Sequence, residues 1–250
     1  MYEYFILKNS SLFILWVVFL LFSQKVISQQ AVTKSINIGV IEYPPHITFQ
    51  GSKIEGKLIK YISSVFTKEG YDIEITQLPR GRAIVELQKG NIELLLPYDE
   101  LHEEIKVLTS PLFHAMPGLC FRKENFIPIL SATHQFKHLT VGAPVGTPVV
   151  SALKNSQAVL VPLIGDNSIK RGIDLTQRGR IDAFYHPSPV QVYHQENTEF
   201  KELACSYFHG YSNGVYVAVK PNMSQENFDK LNRLLNSAIH EMSYGYYFAK

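Results

Sequence analysis

Gln88-Lys-Gly-Asn-Ile-Glu93 and Gln177-Arg-Gly-Arg-Ile-Asp182 are nearly the same six residues written twice, and the offset of 89 that aligns them also aligns Ile84 with Ile173. In each copy a run of helix formers meets a glycine and then an apolar stretch. That order reads as helix, glycine stop and strand, because glycine enters the left-handed region without the steric cost other residues meet there. The strands launched are residues 92–96 and 181–185. Two copies of one α/β unit imply two similar lobes. Ligands of open α/β sheets lie beyond the carboxyl ends of the strands, so the place to search for function is a few residues past each copy.

Upstream of the first copy, residues 35–43 alternate and stop at Pro44-Pro45, which cannot continue a central strand. Leu58, Ile59, Ile62, Val65 and Phe66 then mark one face of a helix ended by Gly70, residues 72–78 read as a strand, and residues 82–89 as a second helix. The order β-α-β-α-β predicts parallel strands joined by right-handed crossovers. The pattern breaks at Ser110-Pro111, residues 118–123 form a further strand, and a second set comes after it. It comprises strand 138–143, a helix opened by Gly146-Thr147-Pro148, strand 159–163, a helix capped by Asn167, and strand 181–185. Residues 215–219 give one more strand, and Ser224 caps a last amphipathic helix through Phe228, Leu231, Leu235 and Ile239. The fold class is α/β: two lobes, each a mainly parallel sheet flanked by helices, joined by two hinge crossovers. Residues 29–117 form the first part of lobe one and residues 118–212 lobe two. Residues 213–250 return to pack on lobe one.

The first 28 residues differ from the rest. Lys8 precedes an unbroken apolar run of eleven residues, Leu12 to Phe22, and a small residue, Ser28, precedes Gln29. Eleven helical residues reach about half of a ~30 Å bilayer core, so a secretory signal peptide cleaved after Ser28 fits better than a membrane span, with an uncleaved anchor as the other reading. Removing it takes away Lys8, Lys25 and Glu3 and leaves a formal charge of +1. So small a charge calls for neither nucleic acid nor an anionic lipid surface. Cys120 and Cys205 are the only cysteines, and export permits a disulfide between them without deciding whether their backbones approach closely enough. A clustered cysteine motif for zinc or redox chemistry is absent, and no cofactor is expected. Gly210-Tyr-Ser-Asn-Gly214 spells a nucleophile elbow, but a strand comes next where a helix is needed, so Ser212 reads as a turn residue. His134 and His138 lack further ligands nearby and make no metal site.

Several stretches taken together carry a resemblance to a known family: Ile38-Gly-Val-Ile-Glu-Tyr-Pro-Pro45; Pro79-Arg-Gly-Arg-Ala83 ahead of Gly90-Asn-Ile-Glu93; Ser110-Pro111; Val141-Gly142 with Gly146-Thr147; and Gly179-Arg-Ile-Asp-Ala183. In order and spacing the chain resembles the bacterial extracellular solute-binding proteins of family 3, with the type II periplasmic binding fold of polar amino acid uptake. The resemblance implies a periplasmic, monomeric binding protein rather than an enzyme. Its lobes would close on a small polar solute and deliver it to the inner-membrane permease of an ABC transporter, or report it to a membrane sensor. A dehydratase-like enzyme on the same fold, using Glu42, Asp99 or His186 as acid or base, is the alternative from another class. The chain also departs from the family. Its amino acid binders place an arginine shortly before the Ser-Pro element to hold an α-carboxylate, whereas here the stretch is Glu100-Leu-His-Glu-Glu-Ile105. The aspartate that answers the ammonium group falls at His186 or Pro187.

Position relative to strand ends and helix starts selects the candidate ligand residues. Tyr43 ends the first strand and is either an aromatic wall or a core tyrosine. Arg82 sits at a helix start, where a cation opposes the helix dipole unless an anion is near; Arg80 is the other arginine that could hold a carboxylate. Tyr98 and Asp99 lie just past the strand launched by the first hexapeptide. Gly146 and Thr147 offer backbone amides and a hydroxyl at a helix start, and Tyr185 and His186 end the strand launched by the second hexapeptide.

Overall fold

Ile36, Ile38 and Val40 bury one face of β1 (Lys34–Val40), the strand around which the first lobe is built. In this computed structural model of the chain the described residues are 34–99, 104–165, 167–188 and 201–249. The segment read as a signal peptide lies outside them. β1 pairs in parallel with β4 (Tyr71–Gln77) on one side and β5 (Leu94–Tyr98) on the other. The connections are α1 (Lys57–Lys68), whose stripe of Leu58, Tyr61, Ile62, Val65 and Phe66 is buried, and α2 (Arg80–Lys89). A short hairpin, β2 (Thr48–Gln50) and β3 (Lys53–Glu55), fills the connection between β1 and α1.

After β6 (Phe113–Ala115) the chain crosses to a second sheet and builds β7 (Gly118–Arg122), β8 (Thr140–Pro144), the one-turn α3 (Ser151–Lys154), β9 (Val159–Leu163), α4 (Ser168–Gln177), β10 (Ala183–His186) and β11 (Leu203–Tyr207). It returns as β12 (Asn213–Val219), then α5 (Gln225–Glu241) and α6 (Tyr244–Ala249). The sheet orders are β4-β1-β5-β12-β6 and β11-β7-β10-β8-β9, the two-lobed α/β architecture that the repeated hexapeptide implies. Each sheet has a parallel trio along one side, with β1 between β4 and β5, and β8 between β9 and β10. The strands adjoining the crossovers run antiparallel. In each sheet one strand, β12 or β7, runs against the other four.

The two hexapeptides are superimposable in their bonding. Gly90 and Gly179 both adopt left-handed backbone, with φ of 76° and 64°. The amide of Gly90 donates to Leu87 and that of Asn91 to Glu86, while Gly179 donates to Thr176 and Arg180 to Leu175, the same helix-terminating pair each time. One turn later Glu93 N–H donates to Asn37 O and Asp182 N–H to Thr140 O, both at 2.9 Å. The acid side chains complete the frame, since Glu93 Oε2 accepts from Asn37 N–H at 3.4 Å and Asp182 Oδ2 from Thr140 N–H at 2.7 Å. The intervening isoleucines lie over glycines of the neighbouring strand. A Cβ on Gly142 would come within 2.7 Å of Ile181 Cδ1 and 3.2 Å of both Leu163 methyls, and one on Gly39 would collide with Ile92.

Several elements had no clear sequence signal: the β2–β3 hairpin, β6, β11 and α6. The helix expected to open at Gly146-Thr147-Pro148 is a turn, with Gly146 left-handed at φ 81° and Thr147 N–H bonded to Pro144 O; the helix begins only at Ser151. Ser224 caps α5 by accepting from Asn227 N–H at 3.3 Å, and Phe228, Leu231 and Leu235 join Leu58, Val65, Phe66 and Tyr244 in the lobe-one core. In lobe two Cys120 of β7 lies opposite Cys205 of β11, and a disulfide joins them. Closing a loop across a separation of 85 residues adds about 2–4 kcal/mol in this size range. Ser212 is an exposed residue just before β12, and His134 and His138 are exposed. Among the described residues no group of metal-binding side chains occurs, and no helix is long and apolar enough to cross a membrane.

Gly142→Ala should destabilise the protein by about 1–3 kcal/mol through overpacking. Ile181→Val should cost less in that background than in the wild-type protein, because it removes the methyl that the new Cβ meets. Urea unfolding midpoints of the four proteins test this, and strict additivity would show that the contact does not govern the packing.

Candidate functional site

The carboxyl ends of the two parallel trios face each other, and the loops that leave them form the site. β1 ends at Val40, short of the Pro44-Pro45 stop expected from the sequence, so Tyr43 lies three residues beyond the strand, and the turn there is pinned by His46 N–H and Ile47 N–H, both donating to Tyr43 O. Tyr43 is thereby fixed against the cleft, with 1% of its surface exposed. Pro79 caps α2 in an extended conformation and sends Arg80 inward as the first helical residue. Asp99, one residue beyond β5, meets it: Arg80 Nη1 donates to Asp99 Oδ1 at 2.8 Å, with the two side chains 16% and 5% exposed. The guanidinium carbon also lies 5.9 Å from the centre of the Tyr43 ring, within range of a cation–π attraction.

Lobe two closes directly on this group. A Cβ on Gly146 would sit 3.1 Å from both Cγ and Cδ of Arg80, so the glycine lets the lobe-two turn rest on the arginine stem. A second contact runs from Glu42, whose Oε2 accepts from the amide of Asn167 at 3.3 Å, at the N-terminal cap of α4. Asn167 makes no side-chain capping bond of its own. A carboxylate from the opposite lobe therefore sits where the helix dipole favours negative charge.

Between the lobes lies a cavity of about 240 Å³ lined by Glu42, Tyr43 and Arg80 from lobe one and by Thr147, Ser168 and Pro187 from lobe two. A wider opening of about 850 Å³, which shares Thr147 with this cavity, is bounded by Asp99, His114, Gly146, Tyr211 and Tyr216. Burial raises the Tyr43 phenol well above its ordinary range, the Asp99 charge adds to this, and Arg80 opposes it. The Tyr43 hydroxyl is directed toward Asp99 without reaching hydrogen-bond geometry. Tyr185 is raised in the same way, first by burial and then by Asp99.

Of the residues chosen from the sequence, Tyr43, Asp99, Gly146 and Thr147 line one or other opening. The rest do not. Arg82 is exposed on α2 and lines neither, because the helix begins two residues earlier than its apolar pattern indicates and turns Arg80 inward instead. Tyr98 belongs to the core beneath α2, with Leu78, Leu87, Ile92 and Ala218. Tyr185 packs with Phe208 in the lobe-two core and donates from its hydroxyl to Pro148 O at 2.8 Å, supporting the turn that carries Thr147. His186 is fully buried behind the cleft, and its Nδ1 accepts from Ser188 N–H at 2.9 Å. Burial, and next the charge of His46, push its pKa down to about 3. The Glu42–Asn167 contact and the wall position of Ser168 had no local signal, since each depends on residues more than a hundred positions away.

No protein-family model matches the chain, and no curated protein matches it in sequence. Solved structures match in fold. One is an amino acid ABC transporter substrate-binding protein from Streptococcus pneumoniae bound to L-arginine, 18% identical with a TM-score of 0.71 over 86% of this chain and 93% of that one. Another is the ligand-binding core of GluR0 with L-glutamate, 16% identical with a TM-score of 0.71 over 86% and 97%. A third is an ancestral amino acid-binding protein described as a precursor of cyclohexadienyl dehydratase, 17% identical with a TM-score of 0.71 over 86% and 93%. At these identities the likeness is one of fold, the two-lobed α/β architecture.

The burial of His186 has a pH consequence. In the unfolded chain a histidine binds a proton below about pH 6.5, whereas His186 in the folded protein stays neutral down to about 3. Between those values the unfolded state holds more protons, so stability falls as pH falls, by up to about 1.4 kcal/mol per pH unit from this residue. His186→Asn, whose side-chain oxygen can still accept from Ser188, should flatten the decline in unfolding free energy below about pH 6.5. Parallel slopes for the two proteins would show that His186 does not contribute.

Proposed function

We propose that the chain is an exported binding protein that captures a small polar solute between its lobes. The observation that carries this reading is the 240 Å³ cavity walled by both lobes, with Glu42, Tyr43 and Arg80 on one side and Thr147 and Ser168 on the other. A solute lodged there touches residues of both lobes at once, and only such contacts can shift a two-lobed protein toward its closed form. The lining combines an aromatic face, hydroxyls and charged groups, which suits an amino acid or another compact polar solute.

The solved structures of this fold include complexes with L-arginine and with L-glutamate, solutes of opposite charge. Specificity is therefore a property of the lining and not of the fold. Export fits the apolar N-terminal run of residues 12–22 and the small residue Ser28 beyond it, and a paired Cys120 and Cys205 suits an oxidising compartment. Delivery to the permease of an ABC transporter is the role that agrees best with the neighbours of this fold, and a periplasmic sensor would use the same closure. A catalytic role has less support: Asp99 is ion-paired with Arg80, and His186 is buried and lines neither opening.

A thermal-shift screen of amino acids, short peptides, organic acids and sugars tests the reading. A solute at 100 times its Kd adds about 2.7 kcal/mol of stability. The hit should lose about tenfold or more in affinity on Tyr43→Ala, and also on Ser168→Ala from the opposite lobe. A hit indifferent to both substitutions binds elsewhere, and a screen in which nothing stabilises the protein defeats the proposal.

A further inference from the structure

A guanidinium on the wall of a polar cleft is the side chain best suited to gripping a carboxylate or phosphate, because its N–H groups match two oxygens in one plane. In this cleft that side chain is already engaged. Arg80 and Asp99 belong to the same lobe, at the first residue of α2 and just beyond β5, so their 2.8 Å bond forms without any closure. The Asp99 side chain is 5% exposed. Arg80 lines the 240 Å³ cavity and Asp99 the 850 Å³ opening, and Thr147 lines both. Tyr43 covers the guanidinium from lobe one, and Gly146 rests on its stem from lobe two.

We infer that Asp99 is a resident counter-ion that occupies Arg80 in place of a ligand anion, and that it selects for solutes presenting a neutral or cationic group to this wall. This rests on the reading of the cleft as a solute site and names the class of solute it takes. A carboxylate entering from solution would have to displace a buried intramolecular partner that is already in position, and its charge would lie close to those of Asp99 and Glu42. An ammonium, amide or hydroxyl meets no such opposition and finds acceptor oxygens on Glu42, which lines the same cavity as Arg80. The Tyr43 phenol suits this place, since burial and the Asp99 charge, opposed by Arg80, raise its pKa and keep it protonated.

The test uses acetate and formate as probes, by calorimetry on the wild-type protein, Asp99→Asn, Asp99→Ala and Arg80→Gln. The wild-type protein should not bind either anion. Asp99→Asn, and more so Asp99→Ala, which leaves room for the anion beside Arg80, should gain carboxylate affinity by about tenfold or more. Variants that hold the wild-type circular dichroism yet gain nothing overturn the inference. So does a wild-type protein that binds acetate and loses it on Arg80→Gln, a result that needs no Asp99 variant to fold. The two readings fail separately. If Asp99 variants gain acetate while no neutral or cationic solute binds the wild-type protein, the counter-ion role stands and solute capture falls. If the wild-type protein binds such a solute and the variants gain no anion, capture stands and the counter-ion role falls.

Discussion

An isoleucine seated on a glycine sets the geometry of each lobe. Ile92 lies over Gly39 and Ile181 over Gly142, in the space where any other residue would place a Cβ. The contact has consequences in both directions along the chain. Behind it, the left-handed glycines at 90 and 179 end their helices at a fixed angle. Ahead of it, Glu93 and Asp182 bond the edge of the central strand through both backbone and side chain. Helix end, strand start and neighbouring strand are thus locked in one register, and a slip by a single residue would lose the glycine gap and the acid bonds together. The register fixes where the strands stop, and their ends are where the cleft opens.

The cleft inherits its chemistry from the loops beyond those ends. In lobe one the chain delivers Glu42 and Tyr43 after β1, Arg80 after β4 and Asp99 after β5. Each loop leaves a different strand, and the three are far apart in sequence. Lobe two meets them with backbone at two points, Gly146 against the Arg80 stem and the amide of Asn167 against Glu42. The Arg80–Asp99 ion pair lies inside one lobe.

Other parts of the molecule serve to keep these loops in place. The disulfide ties the edge strand β11 to β7, and β7 continues directly from the first crossover. On lobe one, α5 and α6 cover the sheet, and Tyr244 bonds the Nδ1 of buried His46 at 2.7 Å beneath the Tyr43 turn. His46 also stacks on Phe113 with ring centres 4.3 Å apart, so the strand leading to the crossover and the turn bearing Tyr43 share one aromatic cluster. The first crossover and the cleft wall are therefore packed against one another through that cluster.

The sequence by itself determined the lobes, the helix stops and the parallel trios, because each arises from local rules of glycine and apolar period. It also pointed to the strand ends, and four of its candidate residues line the openings there. Tertiary structure decided the rest. Arg80 rather than Arg82 faces the cleft because the helix starts two residues before its apolar stripe. Tyr98, Tyr185 and His186 turn into cores because a strand residue's face is set by its register with neighbours. The pairing of Cys120 with Cys205, of Arg80 with Asp99 and of Glu42 with Asn167 brings together residues 85, 19 and 125 positions apart. No local rule relates such positions; only the folded sheet, which stacks strand ends side by side, makes them neighbours.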